Sequence, residues 1–138
     1  MNPNPPRPLS HTQARNIRFT DLRHYKLPIP GIVSILHRVS GLLMFLFLPL
    51  VLWLFDLSLS SERSFERFTD VAHNWFARLL ILALAWALLH HLCAGVRFLL
   101  LDLHMGLEAG AARRNSWAVL AVSIPLALLF ALFLFGAF

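Results

Sequence analysis

A chain of 138 residues makes one domain at most, and this one is 58% hydrophobic with only 14% charged residues. Its mean hydropathy of +0.67 excludes an ordinary soluble domain. The net charge of +5 would suit a nucleic-acid ligand, but the basic residues flank apolar runs, so they are read as topological signals and no nucleic acid is expected.

Residues 1–29 are read as a cytoplasmic amino-terminal arm, opening with the proline-rich Met1-Asn-Pro-Asn-Pro-Pro-Arg-Pro8. The arm is either a basic tail resting on anionic membrane lipid or a docking surface for a soluble partner. It has no apolar core before Pro30, so it does not read as a secretory signal. Its clustered prolines argue against a transit peptide, which favours the inner (cytoplasmic) membrane of a bacterium over the mitochondrial inner membrane.

Residues 30–138 are read as a transmembrane domain with spans at about 30–57, 73–103 and 116–138, since about 20 apolar residues cross a bilayer. The runs Val39–Phe55, Leu79–Val96 and Asn115–Phe138 contain no Asp, Glu, Lys or Arg. Pro28 and Pro30 suit the start of the first helix, and Pro49 predicts a bend inside it. Ser58–Asp70 reads as an external loop, with a possible helix start at Ser60-Ser-Glu62. Met105–Asn115 reads as a cytoplasmic loop. The third span carries Pro125 and Ser123 but no evident chemistry. Cys93, the single cysteine, lies inside the second span and can form no disulfide within the chain.

Arginine and lysine placement sets the orientation. Arg7, Arg15, Arg18, Arg23 and Lys26 precede the first run, and Arg97, Arg113 and Arg114 flank the loop between the second and third. Arg63, Arg67 and Arg78 on the other side are mixed with Glu62, Glu66 and Asp70. The amino terminus is therefore expected in the cytoplasm.

Two polar intrusions interrupt the apolar runs. In Ser34-Ile-Leu-His37-Arg38-Val-Ser40-Gly41, helical spacing puts Ser34, Arg38 and Gly41 at i, i+4 and i+7, beside His37. The second intrusion is His90-His91. In antiparallel helices Arg38 lies about 12 Å from Pro30 and His91 about 16 Å from Asp102, so the two sites share a depth. Ala87, Ala94 and Gly95 surround His91 with small side chains. Such a face suits close helix packing, or a flat macrocycle whose iron the imidazole reaches. His90 points about 100° away. Arg38 either snorkels to the headgroups or pairs with buried carboxylates such as haem propionates.

These residues resemble a known family. Ser34 to Gly41 is similar to the S-x-x-H-R-x-[ST]-G signature of the cytochrome b membrane-anchor subunit of succinate dehydrogenase, complex II. His91 to Asp102 resembles its H-x-x-x-G-[aliphatic]-R-[HF]…D signature, and Arg7-Pro8 its amino-terminal Arg-Pro. The stretch from Arg7-Pro8 to Ser34 is longer than in many members.

The resemblance implies an all-α membrane protein of three transmembrane helices, forming half of a heterodimeric haem-binding bundle. It implies that His91 is an axial ligand of haem b, opposite a histidine from a second membrane-anchor subunit. It assigns His37 and Arg38 to the haem propionates, and Ser34 and Arg38 to a pocket where ubiquinone, the substrate, is reduced. Electrons would come from succinate through a flavoprotein subunit carrying FAD and an iron–sulfur subunit carrying Fe–S clusters. Arg97 and Asp102 are read as a structural charge pair. Two other readings stand beside this one: an anchor of a quinol:fumarate reductase, and a three-span assembly or scaffold protein without haem.

Overall fold

A computed structural model describes residues 27–136, and over these its regular elements are all helices. The helices are α1 (Ile29–Ser60), α2 (Glu62–His73), α3 (Trp75–Asp102) and α4 (Ala109–Leu134). Of these, α1, α3 and α4 are long and apolar enough to cross a membrane. The expected amino-terminal arm, with its Arg7-Pro8, falls almost wholly outside the described residues.

Helix α1 starts after an extended Pro28, with Pro30 in its first turn, where the missing N–H would have had no partner anyway. It runs through Pro49 and stops at Ser61, whose extended backbone breaks the helix. That residue begins the next one. The Ser61 hydroxyl accepts from the Ser64 amide at 3.2 Å, and the Ser64 hydroxyl accepts from the Ser61 amide at 2.8 Å. This reciprocal cap satisfies two amides that a helix start otherwise leaves bare. The segment expected as an external loop is thus largely the short helix α2. Its Phe65 and Phe68 lie 5.9 Å apart, while Arg63, Glu66, Arg67 and Asp70 supply a charged side. An amphipathic helix of this kind suits the plane of a membrane surface.

Asn74 caps α3 through its side-chain oxygen, 2.9 Å from the Phe76 amide. After Asp102 the chain turns through His104 and Gly106, both at positive φ. At Gly106 the positive φ favours glycine, and a Cβ would also stand 2.6 Å from the Asn115 side-chain nitrogen, which would have to turn aside. Helix α4 then begins at Ala109, seven residues before the expected span. Hydropathy marks where the hydrocarbon ends, whereas Ala109-Gly-Ala-Ala-Arg-Arg114 is mostly strong helix former and carries the helix out of the membrane.

The core is narrow. Val33, Ala94 and Val119, one from each long helix, pack together at its centre. Along α4 the buried residues are Ser116, Val119, Ser123 and Ala127, a stripe of small side chains at helical spacing. Between membrane helices burial of apolar surface gives little net drive, so close approach across small residues matters more. Ala94 should therefore tolerate serine but not leucine. Ala94→Leu is expected to cost about 1–3 kcal/mol by overpacking. The check is the melting temperature of the purified protein in detergent, with Ala94→Ser as the size-matched control; equal melting of both variants would contradict this packing.

Candidate functional site

The first polar segment lies in the second to fourth turns of α1, and its helical spacing sends its side chains in two directions. His37, Ser40 and Gly41 face α3, with Ser40 fully buried. Ser34 is half-buried at the edge of that contact, and Arg38 is exposed on the outside of the three-helix unit. A shared depth for the two polar sites is expected from the sequence, and here they touch. The rings of His37 and His91 stack with centroids 4.0 Å apart and planes 17° from parallel. Phe98 closes one side of His37 at 5.1 Å.

His91 is held by its Nδ1, which lies 3.1 Å from the Ser40 hydroxyl and 3.1 Å from the His37 carbonyl oxygen. The Ser40 hydroxyl donates to that same carbonyl at 2.8 Å. The hydrogen bonds of His91 among the described residues all run through Nδ1, which leaves Nε2 without one, and the ring is half-buried. Gly41 permits the contact, because a Cβ there would meet Cε1 of His91 at 2.9 Å. Nε2 of His37 points at Gly95, where a Cβ would lie 3.7 Å away, and is buried without a partner.

His90 behaves differently. It is fully buried and stacks on Trp86, one turn earlier, with ring centroids 5.4 Å apart. Neither of its ring nitrogens makes a well-formed hydrogen bond, although the backbone of Val33 approaches the ring. A cofactor could reach it only by opening the bundle.

The small face around His91 proves to be a helix-packing face, and one expectation is corrected. Ala87 and Ala94 do not offer a free surface beside His91, since both are wholly buried by packing within the bundle. Arg97 and Asp102 do not pair: five residues apart on one helix, they face different directions, Arg97 buried and Asp102 exposed. The Arg97 guanidinium lies 5.2 Å from the Phe98 ring centre, and its Nε is unpartnered. Ser40 and Gly41 stood inside the quoted motif with no role attached to them. The signal was their spacing, three and four residues after His37, which puts them on the same helix face.

The chemistry available is that of an anchored imidazole with one nitrogen engaged and the other open. A second imidazole lies against it, and a hydroxyl and a guanidinium stand on the adjoining outer face. The exposed Arg38 meets no acceptor among the described residues.

The sequence matches the family model described as succinate dehydrogenase/fumarate reductase transmembrane subunit over residues 7–130. It is 33% identical over 108 residues to the succinate dehydrogenase cytochrome b556 subunit of Paracoccus denitrificans, covering 78% of this chain and 83% of the relative. The protein of the same name from Coxiella burnetii is 34% identical over 104 residues, covering 75% and 83%. That of Rickettsia felis is 30% identical over 105 residues, covering 76% and 82%. The matched span includes all of the polar site, and the chain belongs to the family of succinate dehydrogenase/fumarate reductase transmembrane subunits.

Proposed function

We propose that this chain is the haem b-binding membrane anchor of a succinate:ubiquinone oxidoreductase. It works in a bacterial inner membrane with its amino terminus in the cytoplasm. The observation that carries the reading is the His91 ring, tied to α1 through Nδ1 while Nε2 makes no hydrogen bond among the described residues. An imidazole oriented through one nitrogen is the usual state of a metal-bound histidine. The relatives support the reading through their name, cytochrome b556 subunit.

In this reading His91 would hold the haem through Nε2, and a second membrane-anchor subunit would supply the other histidine. Haem, when bound, supplies a one-electron redox centre within the bilayer. His37 and Arg38 receive the propionates. The fit rests on two features: the unpartnered Nε2 of His37, and the exposed guanidinium of Arg38, which needs an acceptor in hydrocarbon.

Ser34 and Arg38 line the ubiquinone pocket, one turn apart on the outer face of α1. Quinone reduction puts negative charge on a carbonyl oxygen before a proton arrives. A positioned hydroxyl and a fixed cation stabilise that charge most effectively where water is excluded. Electrons reach the site from succinate through a flavoprotein subunit with FAD and an iron–sulfur subunit, and protons enter from the nearby cytoplasmic surface. The pocket is completed by those partners, because Arg38 faces away from α3 and α4.

Three outcomes are expected. Produced without a partner anchor, the chain retains little haem, since a bis-histidine site needs a second ligand; stoichiometric low-spin haem in the isolated chain would contradict this. In the assembled complex His91→Leu lowers haem content far more than His90→Leu, read from the reduced spectrum, and the reverse order would move the ligand to His90. Ser34→Ala and Arg38→Leu slow ubiquinone reduction by about 10²-fold. Succinate oxidation by an artificial acceptor that draws from the soluble subunits continues. Both activities are assayed on the same membranes, with assembly checked by immunoblot, and parallel loss in a fully assembled complex would sink the quinone assignment.

A further inference from the structure

We propose that Ser40 and Gly41 are positioning residues for His91. Together with the His37 carbonyl, they hold its imidazole as the Nδ1–H tautomer, with the Nε2 lone pair presented to an iron. The inference rests on the reading of His91 as a haem ligand and adds how α1 prepares it.

The hydrogen-bond geometry leads to the tautomer. Two oxygens lie 3.1 Å from Nδ1, and one of them, the His37 carbonyl, can only accept. The single Ser40 proton is directed to that carbonyl at 2.8 Å, which leaves the hydroxyl lone pairs facing Nδ1. A bare Nδ1 lone pair would then confront two oxygens without a proton between them. The proton therefore sits on Nδ1 and is shared between both. The lone pair that remains is on Nε2, which makes no hydrogen bond among the described residues.

Gly41 supplies the space. A Cβ at that position would stand 2.9 Å from Cε1 and 3.4 Å from Nδ1 of His91. The first distance is shorter than carbon atoms tolerate, so even alanine would force the ring to shift relative to the two oxygens. A fully buried serine three residues after His37, followed by this glycine, forms a cradle that fits the edge of one imidazole.

Hydrogen bonds to the far nitrogen of a metal-bound histidine raise its basicity and commonly account for 10–100-fold in affinity, about the range expected here. A more basic ligand favours the oxidised iron. Losing the Ser40 acceptor should therefore raise the haem midpoint potential and weaken haem retention.

The test uses the whole complex purified with its partner subunits, carrying Ser40→Thr, Ser40→Val, Gly41→Ala or His91→Leu. Haem per complex, midpoint potential and the low-spin electron paramagnetic resonance signal are measured for each. Threonine and valine match in size and differ in the hydroxyl, so packing effects cancel between them. The expected result is that Ser40→Thr keeps the wild-type potential and signal. Ser40→Val shifts the potential upward and loses haem more readily, by about 10-fold or more. Gly41→Ala alters the low-spin signal or empties the site. Equal behaviour of the threonine and valine variants, whether both native or both depleted, overturns the role of Ser40. A native signal in Gly41→Ala overturns that of Gly41. If His91→Leu keeps its haem, the preceding reading fails instead, which separates the two failures.

Discussion

The hydrogen-bonded contact of His91 with Ser40 and the His37 carbonyl is the constraint on which the rest of this bundle depends. In hydrocarbon a polar side chain has no water to turn to, so it either finds a partner or remains at a cost. Interhelical hydrogen bonds in membranes contribute only about 0.6–2 kcal/mol each, yet they are directional in a way that apolar packing is not. This contact fixes the register of α1 against α3 and the rotation of both. Gly41 lets the helices come close enough for it to form, and Val33, Ala94 and Val119 fill the space below with small and medium side chains.

Satisfaction is uneven elsewhere. His90, Arg97 and Ser123 are buried with polar atoms that meet no partner among the described residues, and so is Nε2 of His37. Leaving a polar group dry and unpaired costs about 1–3 kcal/mol, and more for a charge. A free-standing bundle with several such groups would be an expensive design. These groups lie inside the bundle, so contacts from other subunits would reach them only if its helices rearranged. The exposed Arg38 is a different case, a cation near the start of a membrane helix that meets no partner among the described residues and stays open to other subunits of an enzyme such as the family forms.

Adjacent residues can have opposite fates. His90 and His91 differ by a rotation of about 100° on one helix. That rotation puts one against Trp86 in a closed interior and the other against α1 with an open nitrogen. A similar division on α1 separates Ser40, wholly buried at the helix contact, from Arg38, two residues earlier and exposed. The site is thus two-faced: an inner set that orients an imidazole, and an outer set available to whatever lies beside the bundle.

Much of this was legible from the residues alone. About 20 apolar residues are needed to cross a bilayer, so span number followed from composition along the chain. Helical rise then brought Arg38 and His91 to the same depth. The Ser61 cap was half-visible in Ser60-Ser-Glu62, and α4 starts early because helix propensity, unlike hydropathy, does not end at the membrane surface. What only the tertiary structure decided was the rotation of each helix about its axis. In these spans apolar residues ring the whole circumference, so periodicity does not say which side faces a neighbour. The small side chains around His91 were therefore ambiguous: Ala87 and Ala94 turned out to be packed inside, and Gly95 to lie against His37 rather than beside an open surface. Ser40 and Gly41 acquired their roles only when α3 was laid against them, because a hydrogen bond across 51 residues of chain depends on packing that no local pattern encodes.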